Sequence, residues 1–203
     1  MFRKIIASQF KRPSGLFGIF SSNIMIKGNK NKYIKLIEDL DLRPLDSILE
    51  IGYGPGIGIH MITEKCNTCT IRGIDFSNLM YKKATQLNRR FINGGNVQLQ
   101  KGDFLKMPST GKMYNKIFCL NVVYFWNELK SPFEKIYLML KPVSAFHIYM
   151  ASSDMLRKMK APEDIFNKYS IEQVIDTLKL AGFTDVIYSF DKGFYIKALK
   201  GEE

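Results

Sequence analysis

Long apolar runs are missing from this chain of 203 residues; no stretch approaches the roughly 18 residues that a membrane-crossing helix requires. The opening MFRKIIASQFKRPSGLFGIF is basic and aromatic, with neither a continuous apolar core nor a small-residue cleavage site, which argues against a secretory leader. Cysteine is scarce at 3, a usage that fits a reducing cytoplasm better than an oxidising compartment. Cys66 and Cys69 make a CxxC, yet no second pair exists and neither histidine stands at a zinc-like offset. No metal is expected, and the pair reads as two small thiols in a helix-to-strand loop.

Acid is absent from the first 37 residues, where Arg3, Lys4, Lys11, Arg12, Lys27, Lys30, Lys32 and Lys35 precede Glu38. With a formal net charge of +11, such a segment could meet RNA, an anionic lipid surface or an acidic substrate. Lysine is also plentiful along the rest of the chain, where it makes solvated faces. A composition of 46% hydrophobic and 24% charged residues is that of an ordinary globular domain. We therefore expect an N-terminal basic and aromatic arm over 1–28, foldable as a lid through Phe2, Phe10, Leu16, Phe17 and Phe20, and one domain over 29–203.

From Asn29 the apolar positions Tyr33, Ile34, Ile37 and Leu40 recur at helical spacing until Arg43-Pro44 closes the helix. Strands and helices then alternate. Strands are predicted at Ser47–Ile51, Thr70–Asp75, Asn96–Gln100, Lys116–Leu120 and Ala145–Met150. Helices are predicted over 58–64, after the cap Ser77, over 132–140, and from the cap Ser170 to the stop Gly182. FTDVIYSF and FYIKAL, separated by the turn Asp191-Lys192-Gly193, form a closing antiparallel hairpin. The fold class that follows is α/β: a doubly wound, mostly parallel seven-stranded sheet with a C-terminal antiparallel hairpin. Ligands of such sheets bind at the carboxyl ends of the strands.

The first strand ends in Glu50-Ile51-Gly52-Tyr53-Gly54-Pro55-Gly56-Ile57-Gly58. A redox dinucleotide fingerprint needs a glycine three residues after the second one, and Ile57 or Ile59 stands there in either register. No Gly-Lys-Ser/Thr follows, which excludes a Walker loop. What remains is bare backbone behind an acid, a setting that repels pyrophosphate and suits a cationic ligand.

Glu50-x-Gly52-x-Gly54-x-Gly56 resembles the first motif of the class I SAM-dependent methyltransferases, small bacterial quinone-methyltransferase-like members among them. Asp75 in RGIDFSNLM resembles the second motif, an acid for the ribose hydroxyls, with Phe76 after it. QLQKGDFLKMP resembles the third, which puts Asp103 near the adenine amino group and Phe104 beside the ring. YNKIFCLNVVYFW resembles the strand-four motif, with Asn121 beside the methionine moiety. The resemblance thus implies S-adenosylmethionine as cofactor, bound by Glu50, Gly52, Tyr53, Gly54, Gly56, Asp75, Phe76, Asp103, Phe104 and Asn121. Gly58 reads as helix-to-strand packing.

Methyl transfer from a sulfonium is an in-line displacement, so positioning matters more than any dedicated group. Asn121-Val122-Val123-Tyr124 lacks the prolines of an N-P-P-Y signature, which disfavours an adenine-N6 enzyme. Tyr124, Phe125 and Trp126 either line an apolar acceptor pocket or pack under the next helix. Tyr124 and His147 are the candidate catalytic residues, and His60 reads as structural. The expected acceptor is a small molecule. The alternatives are RNA, protein or peptide recruited by the basic arm, and a SAM-binding domain that does not transfer.

Overall fold

The computed structural model describes residues 28–108, 111, 113–158 and 165–202. Residues 1–27 of the expected N-terminal arm, and the lid role with them, lie outside the described residues, and Gly28 belongs to the first helix. The chain divides into two compact units after Met107.

In the first unit, helix α1 covers 28–39 and buries Tyr33, Leu36 and Ile37, with Leu40 buried in the turn after it. Each buried side chain of this size stabilises the fold by roughly 1.5–3 kcal/mol. Strand β1 (Ser47–Ile51), helix α2 (Ile57–Lys65), strand β2 (Thr70–Asp75), helices α3 (Asn78–Leu87) and α4 (Arg89–Asn93), and strand β3 (Val97–Lys101) follow. β2 pairs in parallel with β1 on one side and β3 on the other. Ile48, Leu49, Glu50 and Ile51 are all buried, as expected of a parallel strand covered on both faces. Because the three strands run the same way, the segments that follow them emerge at one edge. Gly52 N–H donates to Ile74 O at 2.8 Å and Gly102 N–H to Asp75 O at 2.9 Å.

In the second unit, β4 (Tyr114–Leu120) pairs in parallel with β5 (Leu140–Met150). Helix α5 (Lys130–Met139) connects them. Helices α6 (Ser153–Lys158) and α7 (Ile171–Leu180) precede β6 (Asp185–Phe190) and β7 (Phe194–Leu199). β7 lies between β5 and β6 and is antiparallel to both. The doubly wound, mostly parallel sheet with a closing antiparallel hairpin is the fold class read from the sequence.

Three local features depart from that reading. α4 and α6, of 5 and 6 residues, were not anticipated, because fewer than two helical turns leave no periodic signal. Cys66 and Cys69, expected as thiols, form a disulfide in the turn between α2 and β2. Their Cα atoms stand 5.5 Å apart, within bridging reach.

Candidate active site

The glycine loop is built by conformation first. Gly52, Gly54 and Gly56 have φ of 74°, 52° and 84°, left-handed values that L side chains rarely adopt. The turn is closed by Gly56 N–H donating to Tyr53 O at 2.9 Å, and α2 begins as His60 N–H donates to Gly56 O at 3.0 Å.

Asp75 ends β2 beside this loop. Its Oδ2 accepts Gly54 N–H at 2.9 Å and its Oδ1 accepts Ser77 N–H at 2.8 Å. Burial raises its carboxyl above the ordinary range, and the Ser77 and Gly54 N–H groups pull against that. The carboxylate is thereby oriented, and each oxygen retains a lone pair for further donors. Phe76, next in the chain, is 38% exposed. Ser77 caps α3 by accepting Met80 N–H. Asp103 is exposed and caps a single 3-10 turn (Phe104–Lys106) through Leu105 N–H at 3.0 Å, while Phe104 is buried.

Glu50 lies behind the loop, fully buried. The Tyr33 hydroxyl donates to Oε1 at 2.7 Å. Burial pushes the carboxyl up to about 8; the Tyr33 bond opposes this, nearby Asp75 adds to it, and the Ile59 N–H opposes it. A Cβ on Gly58 would come within 2.5 Å of the Tyr33 ring and 2.8 Å of Glu50 Oε1. Gly58 therefore serves close packing, as its position suggested. Tyr53 is also buried; its ring occupies the space that a side chain at Gly73 would take, and its hydroxyl donates to Gln100 O at 3.2 Å. Its backbone belongs to the loop while its side chain anchors the loop to β2 and β3.

Two side chains of this unit carry contacts that periodicity did not reveal. Tyr33 appeared in the sequence only as an apolar helix position. Asn88, fully buried after α3, donates its amide to Gly56 O and to Ala84 O, both at 3.0 Å. A lone asparagine at a helix end carries no signal of such a long-range partner.

In the second unit, Asn121 follows β4 at φ 61°, a left-handed conformation that asparagine tolerates better than most residues. Its N–H donates to Tyr149 O at 2.8 Å. Tyr124 is buried against Phe125 and Phe166, with centroids at 4.9 and 5.3 Å. Its hydroxyl is held well above the ordinary range by burial, then by Tyr149 and Cys119. Asn167 N–H donates to Tyr124 O, while the Asn167 amide and the Tyr169 hydroxyl donate to Trp126 O. Trp126 itself packs on Phe133 of α5 at 6.1 Å, so of the two readings for this aromatic it takes the packing one.

His147 sits in the body of β5, 1% exposed, paired in register with Phe118 and Lys197. Burial, with Lys197 and Lys116 adding, pushes its imidazole down to about 3, so it is neutral. His60 packs edge-on against Phe91 at 5.7 Å.

Residues 48–143 match the family described as "Methyltransferase domain". Over 167 residues the chain is 28% identical to the uncharacterized methyltransferase YdaC of Bacillus subtilis, covering 82% of this chain and 87% of that protein. Residues 48–143 form a methyltransferase domain. The chain is accordingly an enzyme of methyl transfer. Two solved structures carry the fold at low identity. The methyltransferase partner of the Haloferax volcanii Trm112 methyltransferase activator has a TM-score of 0.78 at 13% identity, covering 89% of this chain and 94% of that one. The Haemonchus contortus phosphoethanolamine N-methyltransferase 2, solved with phosphomonomethylethanolamine and S-adenosylhomocysteine, has a TM-score of 0.71 at 16% identity, covering 85% and 53%.

Proposed function

We propose that this methyltransferase takes the methyl group of S-adenosylmethionine and delivers it to a small-molecule acceptor. The observation that carries the cofactor half is the buried Asp75 carboxylate, bonded to Gly54 N–H at 2.9 Å. One acid both locks the glycine loop and retains lone pairs for a cis-diol. When bound, the cofactor supplies a methyl already activated on a sulfonium. Asp75 accepts the ribose hydroxyls, exposed Phe76 and Asp103 border the adenine, and the bare backbone of Gly52–Gly56 admits the methionine end. Phe104 backs this segment from the interior, and buried Glu50 and Tyr53 hold the loop from behind.

Asn121 keeps the role that the family resemblance implies, beside the methionine moiety, and Tyr124 is assigned to orienting the acceptor. The Tyr124 hydroxyl keeps its proton at neutral pH, so it donates or accepts a hydrogen bond rather than removing a proton. His147 is neutral and buried within its strand, and it is not given a step. A small acceptor is favoured by the Haemonchus enzyme, whose shared fold holds a small phosphorylated amine.

The test incubates the enzyme and isotopically labelled S-adenosylmethionine with cell extract split into small-molecule, RNA and protein fractions. Mass spectrometry should find the label in the small-molecule fraction. Label confined to RNA or protein would move the acceptor to the alternative recruited by the basic arm, and no label in any fraction would leave a binding domain.

A further inference from the structure

We propose that Asn88 is a positioning residue for the cofactor, its side-chain amide fixing the glycine loop through the carbonyl of Gly56. This rests on the reading of that loop as the S-adenosylmethionine site.

Asn88 is 0% exposed. Its Nδ2 lies 3.0 Å from Gly56 O and 3.0 Å from Ala84 O. Only a side chain with two N–H donors on one nitrogen serves both carbonyls from this position; the isosteric aspartate would turn an acceptor toward two acceptors. Gly56 is fitted to the contact from the other side. A Cβ there would come 2.7 Å from Asn88 Nδ2 and 2.8 Å from Ala84 Cβ, and its φ of 84° is itself left-handed. Gly56 and Asn88 are thus two halves of one close approach.

A plain end cap for α3 would need only the Ala84 carbonyl. The bond to Gly56 spans 32 residues and reaches the loop that receives the ligand. The same strand-helix segment grips the loop twice: Asp75, ahead of α3, takes Gly54 N–H, and Asn88, behind α3, takes Gly56 O. Gly56 O also receives His60 N–H at 3.0 Å. Any shift of this carbonyl therefore moves the start of α2, where the first N–H groups of the helix open toward the loop.

Calorimetric titration of the full-length protein with S-adenosylhomocysteine tests the assignment. Asn88→Asp should weaken binding by roughly tenfold or more and Asn88→Ala by several-fold, in line with loss of a buried hydrogen bond. Each variant should keep a cooperative melting transition. Lys200→Met, a destabilising change in the second unit, should keep wild-type affinity. Asn88→Ala adds no charge and carries the test should Asn88→Asp not fold. Wild-type affinity in a folded Asn88 variant, or an equal loss in Lys200→Met, would overturn the proposal. A wild-type protein that does not bind S-adenosylhomocysteine would refute the cofactor assignment itself, and this inference with it.

Discussion

Glu50 accepts a 2.7 Å hydrogen bond from Tyr33 while fully buried beside the carboxyl of Asp75. That setting favours the protonated acid, with the carboxyl pushed up to about 8 from an ordinary 4.5. Between those values the folded protein holds a proton that the unfolded chain has released. Stability therefore falls as pH rises from 4.5 toward 8 and levels above it. Glu50→Gln keeps the shape and an acceptor for the Tyr33 hydroxyl, and it cannot ionise. Urea unfolding across this interval should show the wild type losing stability relative to Glu50→Gln as pH rises. Two parallel curves would mean that the carboxyl is charged throughout. The acid was legible in the sequence as the head of the glycine motif, where it suggested attraction of a cationic ligand. Its burial and its bond to α1 were not legible, because neither has a local pattern.

Elements with a chemical start or stop were read closely. Ser170 makes a full capping box with Gln173 at the head of α7. Gly182 ends that helix at φ 106°, with the Tyr137 ring 3.1 Å from where a Cβ would stand. The closing hairpin matches because Asp191-Lys192-Gly193 is a strong turn between two β-rich runs. The end of α5 was read to within one residue, but its capping partner was not legible, since it comes from far along the chain. Lys200 Nζ donates to Tyr137 O at 3.0 Å and to Leu140 O at 2.8 Å, and it lies over the Tyr137 ring at 4.6 Å. A cation there satisfies open carbonyls and complements the helix dipole. Replacing it by methionine leaves those carbonyls short of a donor in a site that is 8% exposed. Lys200→Met should lower unfolding free energy by about 1–3 kcal/mol, read from the shift in urea midpoint. No shift would show that water replaces the ammonium without cost.

Across the whole molecule, the proposed cofactor residues from Glu50 to Phe104 fall in the first unit, while Asn121, Tyr124 and His147 fall in the second. The loop conformation was legible because left-handed backbone demands glycine, and Gly52, Gly54 and Gly56 survive as spaced letters. The acceptor half was not, because packing aromatics and lining aromatics look alike in sequence; Trp126 settled under α5 only once Phe133 was placed beside it. If the loop and Asp75 form one cofactor site, calorimetric titration with S-adenosylhomocysteine will register the loss of either. The wild type should bind. Asp75→Ala should retain a cooperative melt yet bind at least roughly tenfold more weakly, having lost a charge-assisted acceptor. Equal affinity in the two proteins, or no binding by the wild type, would show that Asp75 and the loop do not hold the cofactor.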